Sequence, residues 1–393
     1  MDYPERFSNL PPYAFPRLRA LLDDHAPGGE VVHMTIGEPK HTFPEWVTRV
    51  IVENAAGFNN YPPNEGTPEL RGAIADWMGR RYGVTVDPDT QLMTLNGTRE
   101  GLYNAAMALC PETKNGQKPV VLIPNPFYQV YMIAAISVGA EPVFLPATAA
   151  TGHLPDFSAL SEEVLNRTAI AYVCSPANPQ GAVASREYWA DLIALAEKYD
   201  FRIFADECYS EIYRDTPPPG ALTVARDMGA DPERVTLFNS LSKRSNLPGL
   251  RAGFVAGGPG SVARMKTLRA YSGAPIPGPL QAAAAAVWAD EAHVVENRAL
   301  YQAKYLVADE VFAGVQGYMP PEAGFFLWLP VDDGEEAAKK LWQETGLRVL
   351  PGAYLAREVD GFNPGKGFIR VAMVAPEDQL REALWRLRDC LYG

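Results

Sequence analysis

The sequence predicts an α/β fold, with a large domain built on a mostly parallel sheet flanked by helices and a smaller α+β domain. Three observations predict this architecture. Between residues 119 and 240, apolar strand-like runs alternate with amphipathic helical segments, the order expected of parallel strands joined by right-handed crossovers. From about residue 276, the pattern changes to a long helical region followed by isolated strands. A chain of 393 residues is also long enough to bury two cores.

We therefore divide the chain into three parts. Residues 1–44, which are rich in proline and turn-forming residues, are predicted to form an N-terminal arm and part of the small domain. One short helix is expected in this arm, around Arg17 to Leu22. Residues 45–278 are predicted to form the large domain, and residues 279–393 the C-terminal small domain.

The composition excludes several classes of partner. The chain carries 47 acidic and 35 basic residues, a formal net charge of −12. This balance argues against nucleic acids and anionic membranes, since both favour basic surfaces. The N-terminus lacks the basic start and apolar run of a signal peptide, and no stretch approaches the roughly 18 apolar residues of a membrane span. We expect a cytoplasmic protein with no membrane partner.

The cysteines and histidines do not predict a metal site. The four cysteines are scattered without a C-x-x-C motif, and the five histidines show no ligand spacing. We interpret the cysteines as reduced thiols, not as a disulfide framework or a zinc site.

Two loops in the first third of the chain stand apart from the core elements. Gly37, before Glu38 and Pro39, predicts a tight turn at which the backbone can approach a ligand, although an ordinary strand-ending loop has the same pattern. Tyr61 lies in a proline-rich loop that leads into a helix with Thr67 as its N-cap. The apolar stripe of that helix belongs to the core, which leaves Tyr61 free for another role.

A glycine turn follows the strand predicted at residues 92–95. The turn contains Gly97, Thr98 and Arg99, and a helix is expected from about residue 101 to residue 109. Unpaired N–H groups and the helix dipole make such a turn a phosphate site. Many strand-to-helix turns of this form bind nothing, so the pattern alone leaves both interpretations open.

Apolar runs predict four strands of the large sheet, at residues 119–124, 169–174, 202–205 and 235–238. Continuous apolar runs are typical of strands buried on both faces of a parallel sheet, and ligands bind at the carboxyl ends of such strands. That edge therefore receives Asn178, Asp206 with Tyr209, and Lys243. Tyr128, just beyond the first strand, is placed either to stack on a flat ring or to pack in the core.

The last third predicts the smaller domain. A long helical region is expected from Gln281 to about Glu310, and strands are expected at residues 324–329 and 367–372. An amphipathic helix with leucines on one face closes the chain.

Lys243 is the most informative residue, because it lies between Ser240 and Ser242 and shortly before Arg251. An amine nucleophile inside an anion-binding set suits a phosphorylated carbonyl cofactor held as a Schiff base, which is pyridoxal 5′-phosphate. For Lys243 alone, a solvated surface lysine is the alternative, and the polar residues on neighbouring strands favour the cofactor. Ser240-x-x-Lys243 also matches the S-x-x-K of serine acyl-enzymes, but the companion S-D-N and K-T-G strings do not occur in the sequence.

Together these residues resemble the class I pyridoxal-phosphate aminotransferases, which have the fold-type I architecture of aspartate aminotransferase. The resemblance extends from Gly37 to Arg370, and the motifs occur in the family's order. One motif departs from the pattern, since the usual N-P-T-G is Asn178-Pro179-Gln180-Gly181 here. We expect this change to affect loop packing and not the cofactor site.

The resemblance implies roles around the cofactor ring. Lys243 matches the Schiff-base lysine that also shuttles a proton at the substrate α-carbon. Asp206 matches the carboxylate that keeps the pyridine nitrogen protonated. Asn178 and Tyr209 match the pair that hydrogen-bonds the ring 3′-oxygen, and Tyr128 matches the aromatic stacked on the ring. Lys243, Asp206 and Tyr209 are the predicted catalytic residues.

The resemblance also implies residues for the phosphate and the substrate. The predicted phosphate-binding residues are Gly97, Thr98, Arg99, Ser240, Ser242 and Arg251. Arg370 matches the arginine that grips the substrate α-carboxylate, with Gly37 and Asn178 beside it. Tyr61 matches a tyrosine that reaches the phosphate of the neighbouring subunit, which implies a homodimer with shared active sites.

Within the family, several strings, among them Ile36–His41 and Asp206–Tyr213, are similar to N-succinyldiaminopimelate aminotransferases. This resemblance implies amino transfer between N-succinyl-L,L-2,6-diaminopimelate and 2-oxoglutarate in lysine biosynthesis. The alternatives are an aspartate or aromatic aminotransferase and a carbon–sulfur lyase of the same fold. A cofactor-sensing transcription regulator is disfavoured by the acidic charge.

The succinyl arm carries a second carboxylate that needs solvent or a cationic partner in the cleft. The candidates are Lys40, Arg99 and Arg244, each of which has a surface charge as its alternative. We prefer Arg99, because a helix N-terminus that faces the cofactor leaves this side chain near the cleft.

Overall fold

The computed structural model describes residues 4–8 and 10–393. The strands are β1 (Val32–His33), β2 (Leu92–Leu95), β3 (Val120–Asn125), β4 (Glu141–Pro146), β5 (Thr168–Cys174), β6 (Arg202–Asp206), β7 (Val235–Ser240), β8 (Gly253–Ala256), β9 (Phe326–Pro330), β10 (Leu347–Arg348), β11 (Leu350–Pro351) and β12 (Phe368–Ala372).

The α-helices are α1 (Ala14–Leu22), α2 (Trp46–Glu53), α3 (Pro68–Tyr82), α4 (Thr98–Leu109), α5 (Val130–Ser137), α6 (Glu162–Arg167), α7 (Arg186–Tyr199), α8 (Ala221–Met228), α9 (Leu241–Arg244), α10 (Pro259–Ser272), α11 (Gly278–Ala289), α12 (Ala292–Val311), α13 (Gly334–Thr345) and α14 (Glu377–Tyr392). Across these described residues, no helix is both long enough and apolar enough to cross a membrane.

The main sheet has seven strands in the order β2-β8-β7-β6-β5-β3-β4. The pairs from β7 to β4 are all parallel, and β8 is antiparallel to both of its neighbours. The prediction of a mostly parallel sheet is therefore confirmed. Strands β4 and β8 were not predicted from the sequence.

The predicted strands are continuously apolar because helices cover both faces of the sheet. On β3, Val121 and Ile123 pack in a cluster with residues of α4 and α5, whereas Val120 and Leu122 pack on the opposite face with Trp189 of α7. All six residues of β3 are buried. Burial of both faces removes the alternation of polar and apolar residues that marks a one-sided sheet.

Two helix boundaries differ from the predictions. Helix α4 begins at Thr98 and not near residue 101, because Gly97 itself is the N-cap residue. The predicted long helix from residue 281 to residue 310 is two helices, α11 and α12. Asp290 interrupts it with an extended backbone (φ −91°, ψ 129°), and its carbonyl accepts a hydrogen bond from Arg244. The N-cap predicted at Thr67 is confirmed, since its side chain accepts a hydrogen bond from the N–H of Leu70.

Two further sheets of the described chain lie outside the main sheet, and the smaller of them joins the N-terminal region to the C-terminal region. Strands β11, β12 and β9 form a three-stranded antiparallel sheet, and β1 pairs in parallel with β10. Leu18 and Leu22 of α1 pack with Trp342 of α13. This pairing and packing support the prediction that residues 1–44 contribute to the small domain.

Helix α11 begins at the domain boundary that was predicted after residue 278. Its side chains pack among those of the large domain, and the rings of Trp288 and Trp77 lie 4.7 Å apart. We propose that the large domain extends through α11, and that the C-terminal domain begins with α12.

Candidate active site

A cavity of about 440 Å³ opens where β5, β6 and β7 end. Twelve of the predicted site residues line it: Gly37, Thr98, Arg99, Tyr128, Asn178, Asp206, Tyr209, Ser240, Ser242, Lys243, Arg251 and Arg370. Because Arg370 lies on β12 of the three-stranded sheet, the cavity lies between this sheet and the main sheet. The other two predicted residues, Gly97 and Tyr61, are not among the lining residues.

Lys243 lies on α9, the single helical turn that follows β7. Its Nζ donates a hydrogen bond to the carbonyl of Gly37 and lies 5.3 Å from the centre of the Phe325 ring. Burial, helped by the positive charges of Arg370 and Arg251, lowers the pKa of Lys243 to about 8. A substantial fraction of the amine is therefore neutral near physiological pH, which is the form that attacks a carbonyl.

Asp206 is the last residue of β6 and is 5% exposed. Its Oδ2 accepts a hydrogen bond from the hydroxyl of Tyr131 at 2.7 Å, and its Oδ1 accepts one from the N–H of Cys208 at 3.3 Å. Burial raises the pKa of Asp206, and these two hydrogen bonds act in the opposite direction. A buried carboxylate held in this way favours a cationic partner in the cavity.

Arg370 is 6% exposed and has no carboxylate partner among the residues of the described structure. Its Nη1 donates to Oδ1 of Asn178 at 3.0 Å, and its Nη2 donates to the carbonyl of Thr35 at 2.7 Å. The buried Nε makes no hydrogen bond within the described part of the chain. Burial lowers the pKa of Arg370 to about 10, so the group stays cationic at neutral pH. A buried guanidinium in this state is a receptor for a carboxylate.

The predicted glycine turn is shaped around Arg251. Gly97 has a φ of +79°, and a Cβ atom at this position would lie 2.2 Å from Nη2 of Arg251. No side chain of the residues that the structure describes caps the N-terminus of α4, which leaves its first N–H groups available to a ligand. These features suit an anion at the start of α4.

Hydroxyl groups and a guanidinium complete this anion site. The Oγ1 atom of Thr98 lies 3.1 Å from Sγ of Cys208, and Oγ of Ser240 lies 3.8 Å from the same sulfur. The guanidinium of Arg251 is fixed by hydrogen bonds to the carbonyls of Pro248 and Asn96, each at 2.9 Å. Hydroxyl donors, free N–H groups and a fixed cation together match the charge of a phosphate.

The three candidates for the distal carboxylate have different environments. Arg244 is buried, bonds to two carbonyls of the α11–α12 junction and pairs with Glu291 at 2.9 Å, so this candidate was wrong. Lys40 is exposed and does not line the cavity. Arg99 is exposed and lines the cavity, where its Nε donates to the hydroxyl of Tyr128 at 2.6 Å.

The comparisons with known proteins agree with this geometry. Residues 29–387 match the model of the family "Aminotransferase class I and II". The chain belongs to this family. Its members use pyridoxal 5′-phosphate and act on amino acids and 2-oxo acids, so the chain is a pyridoxal-phosphate-dependent aminotransferase.

The matches with individual relatives extend over almost the whole length of this aminotransferase. The LL-diaminopimelate aminotransferase of Desulforudis audaxviator is 33% identical over 399 residues, which cover 98% of this chain and 97% of the relative. The crystal structure of an aminotransferase from Neisseria meningitidis has a TM-score of 0.93 and 39% identity, and the match covers 98% of this chain and 99% of that one. A probable N-succinyldiaminopimelate aminotransferase from Thermus thermophilus has a TM-score of 0.83 and 26% identity, covering 96% and 100% of the chains.

The residues of this aminotransferase fit the cofactor. The Lys243 amine suits the aldehyde, the buried Asp206 carboxylate suits a protonated ring nitrogen, and the anion site at the start of α4 suits the phosphate. Asn178 and Tyr209 line the same cavity and offer an amide and a hydroxyl for the ring oxygen.

Sequence reasoning missed several residues of the aminotransferase cavity. Tyr13 and Phe15 reach it from the N-terminal arm, and Phe326 reaches it from β9. Behind the lining residues, Tyr131 donates to Asp206; it lies in the aromatic segment after β3, and nothing in the sequence links it to the end of β6, two strands away in the sheet. Cys208 occurs inside the Asp206–Tyr213 string, where its position between Asp206 and Tyr209 was the one available signal.

Proposed function

We propose that this aminotransferase transfers the amino group of N-succinyl-L,L-2,6-diaminopimelate to 2-oxoglutarate, a step of lysine synthesis. The observation that carries the proposal is the presence of two guanidinium groups in one cavity beyond the phosphate site. Arg370 is buried without a carboxylate partner among the described residues, and Arg99 is exposed and lines the cavity. The proposed substrate offers an α-carboxylate to Arg370 and a succinyl carboxylate to Arg99.

We assign the cofactor contacts from the lining residues. Lys243 would hold the aldehyde carbon, Asp206 the ring nitrogen, and Asn178 with Tyr209 the ring oxygen. Tyr128 would cover one face of the ring. The phosphate would be held by the residues at the start of α4 and α9, namely Gly97, Thr98, Ser240, Ser242 and Arg251, and by the backbone N–H of Arg99, whose side chain is left for the distal carboxylate.

The bound cofactor supplies an aldehyde that takes up the amino group and a ring that accepts the electrons released at the α-carbon. The protein supplies the rest. Arg370 grips the α-carboxylate and so orients the α-hydrogen. The Lys243 amine would remove this proton from the α-carbon of the amino donor, and in the reverse half-reaction it would return a proton to the α-carbon of the amino acid formed from the 2-oxo acid. Asp206 keeps a proton on the ring nitrogen, because its buried charge favours a cation there.

We further propose that two copies of the chain form a homodimer with shared sites. Tyr61 is fully exposed, and Phe58 and Val52 of the preceding segment are also exposed. Three exposed apolar or aromatic side chains in one short stretch of the chain support an interface that a second copy would cover. In such a dimer Tyr61 would complete the phosphate site of the partner.

A second candidate substrate is free LL-diaminopimelate, which is favoured by the names of relatives that are 29–33% identical to this chain. The distal end of that substrate carries an ammonium group as well as a carboxylate. Among the described residues that line the cavity, Asp206 is the one carboxylate, and it is assigned to the ring nitrogen. No carboxylate of these described lining residues is left for a distal ammonium group. The charge of the cavity therefore favours the succinylated compound, whose distal end is an anion without an ammonium group.

A substrate panel distinguishes these candidates. The purified holoenzyme is mixed with succinylated diaminopimelate, free LL-diaminopimelate, aspartate, phenylalanine and cysteine, and both the cofactor absorbance and the products are followed. We expect kcat/KM for the succinylated compound to exceed that for the free compound by about tenfold or more, because succinylation removes the distal ammonium group and adds a carboxylate for Arg99. Equal or higher activity on the free compound would refute the succinyl assignment, and release of pyruvate would indicate a lyase.

The variant Arg99→Ala tests the distal contact. We expect it to raise KM for the succinylated substrate by about tenfold while kcat changes little, because uniform binding is lost at a remote group. The N-butanoyl analogue keeps both carboxylates of diaminopimelate and lacks only the carboxylate of the succinyl arm, so its KM should be the same in the variant and the wild type. Arg226→Ala, which removes an exposed arginine on α8 that pairs with Asp227, is the matched control.

A further inference from the structure

His41 belongs to a chain of hydrogen bonds that ends at the backbone of Lys243. The Nε2 atom of His41 lies 2.7 Å from Nζ of Lys304, and its Nδ1 lies 3.2 Å from Oδ1 of Asn297. The amide nitrogen of Asn297 donates to the carbonyls of Lys243 and Arg244, each at 3.3 Å. None of these contacts involves a group assigned to the cofactor or the substrate, apart from the Lys243 backbone.

Each link of this chain has one allowed direction. A charged lysine is a donor only, so the Lys304 ammonium requires His41 to accept at Nε2. The proton of a neutral His41 is then on Nδ1, where it donates to Oδ1 of Asn297. Asn246 donates to the same oxygen at 2.9 Å, which holds the Asn297 amide in the orientation that bonds the Lys243 carbonyl.

Helix α12 contributes both of the described residues that bond to the His41 ring, Asn297 and Lys304. Asn297, Tyr301 and Lys304 are spaced to share one helix face. The rings of His41 and Tyr301 lie 4.8 Å apart, and Nζ of Lys304 lies 5.0 Å from the centre of the Tyr301 ring. His41 therefore sits against α12 through a ring contact and two hydrogen bonds.

Lys304 is an unusual group for a protein interior. It is 1% exposed, and no carboxylate of the described residues lies within ion-pair distance of its Nζ. Besides His41, Nζ donates to the carbonyl of Met373 at 3.1 Å. Burial lowers the pKa of Lys304 to about 8, with Glu377 of α14 as the charged neighbour that raises it. Burying an amine without a counter-charge is costly, and a well-packed apolar side chain would avoid that cost.

The side-chain amine and the backbone carbonyl of Lys243 are both hydrogen-bonded to residues of these two elements, the Gly37 loop and α12. The amine donates to the carbonyl of Gly37, and the backbone carbonyl accepts from Asn297, which is bonded to His41. Gly37 and His41 belong to the same short loop. We propose that His41 and Lys304 are positioning residues: Lys304 sets the tautomer of His41, and His41, through Asn297, holds the turn that presents the Lys243 amine. This inference rests on the proposed cofactor role of Lys243.

The tautomer is the first test. In the cofactor-free protein, ¹H–¹⁵N correlation of the histidine rings should give His41 as the Nδ1–H form, with assignment from the spectrum of His41→Phe. In Lys304→Met the fraction of the Nε2–H form should increase, because among the described residues the Asn297 oxygen is then the one remaining partner that favours Nδ1–H. The pKa of His41 should also rise, because burial and the charge of Lys304 lower it in the wild type while the Asn297 bond raises it. An Nε2–H tautomer in the wild type would overturn the proposal.

The second test is a double-mutant cycle on the cofactor-free protein. The readout is the rate at which Lys243 combines with added pyridoxal phosphate, followed by absorbance across pH. Loss of one hydrogen bond of about 1 kcal/mol predicts a rate about fivefold lower in Lys304→Met and in His41→Phe, which keeps the ring contact with Tyr301. If Lys304 acts through His41, the double variant should be no slower than His41→Phe alone. Additive losses, or unchanged rates in both single variants, would overturn the proposal.

One control tests whether losing any lysine has the same effect, and a second tests the role of Lys243 by itself. Lys198→Met removes an exposed lysine of α7 and should leave the rate and the His41 signals unchanged. Borohydride reduction of the wild-type holoenzyme tests the proposed role of Lys243 independently. Label on a peptide without Lys243 would refute that role, whereas normal labelling with an unchanged cycle would refute only the positioning role of His41 and Lys304.

Discussion

The guanidinium of Arg370 donates from Nη1 to the side-chain oxygen of Asn178 at 3.0 Å. Arg370 belongs to the three-stranded sheet, and Asn178 follows β5 of the main sheet. The group proposed to bind the substrate carboxylate is therefore oriented by a residue proposed to bind the cofactor ring. This contact makes the geometry of the site depend on how the two sheets pack.

The pH dependence of cofactor addition should report the lowered pKa of Lys243. Neutral amine forms as the pH rises through about 8, so the rate for the cofactor-free protein should rise with pH and level off above that value. Glu38→Gln removes a negative charge that raises the pKa, and should move the midpoint to lower pH. Arg370→Gln removes a positive charge that lowers it, and should move the midpoint to higher pH. A midpoint near the ordinary lysine value would contradict the burial of this amine.

The hydrogen bond from Tyr131 to Asp206 predicts how the pH dependence of kcat changes when it is removed. Tyr131→Phe removes a hydrogen bond that lowers the pKa of Asp206, so the carboxylate should be lost at higher pH and the acid limb of kcat should move upward. Asp206→Asn should lower kcat by about a hundredfold while the protein retains cofactor, because it removes a charge that acts during the reaction.

Tyr172→Phe is the matched control for Tyr131→Phe. The Tyr172 ring stacks on that of Tyr131 at 4.5 Å, and its buried hydroxyl donates to the carbonyl of Leu102 and not to Asp206. This variant should lose some stability and keep the wild-type pH profile. Identical pH profiles for the two tyrosine variants would show that the Tyr131 hydroxyl does not control the protonation of Asp206.

Gly97→Ala should weaken cofactor retention. The new Cβ would lie 2.2 Å from Nη2 of Arg251 at a φ of +79°, so Arg251 has to move away from its carbonyl partners. We expect the dissociation constant of pyridoxal phosphate to rise about tenfold or more, which corresponds to losing one charge-assisted contact. It can be measured by equilibrium titration.

Gly72→Ala is the control for that substitution. Gly72 lies inside α3, and no atom of the described part of the chain lies within 4 Å of the position its Cβ would take. Alanine there should stabilise the protein by up to about 1 kcal/mol through helix propensity and leave cofactor binding unchanged. Equal cofactor affinity in the two alanine variants would argue against the anion site at the start of α4.

Mixed dimers test the proposed role of Tyr61. Tyr61→Ala and Lys243→Ala chains should each have low activity as homodimers. If Tyr61 acts on the partner's site, a mixed dimer places both lesions in one site and leaves the other site intact. Mixing should then restore activity, measured alongside the fraction of mixed dimers by mass. Mixed dimers without activity would contradict sharing.

Much of the site was predictable because it depends on local pattern and on one rule of parallel sheets. The apolar runs of β5, β6 and β7 give each strand's end, and parallel strands bring their carboxyl ends to one edge. Asn178, Asp206 and Lys243 therefore meet in the structure as the sequence predicts. The N-cap of α3 was predictable for the same reason, since the cap and the N–H that it binds are three residues apart.

Tertiary structure decided the features that depend on residues far apart in the chain. The antiparallel direction of β8, the break between α11 and α12, and the burial of Arg244 against that break have no local signal. Lys304 and His41 are 263 residues apart, and their contact exists only because α12 packs beside the Gly37 loop. Hydrophobic periodicity reports which face of an element is buried, but long-range packing selects what that face meets. The sequence by itself therefore determined which groups lie at the sheet edge, and only the tertiary structure determined their partners.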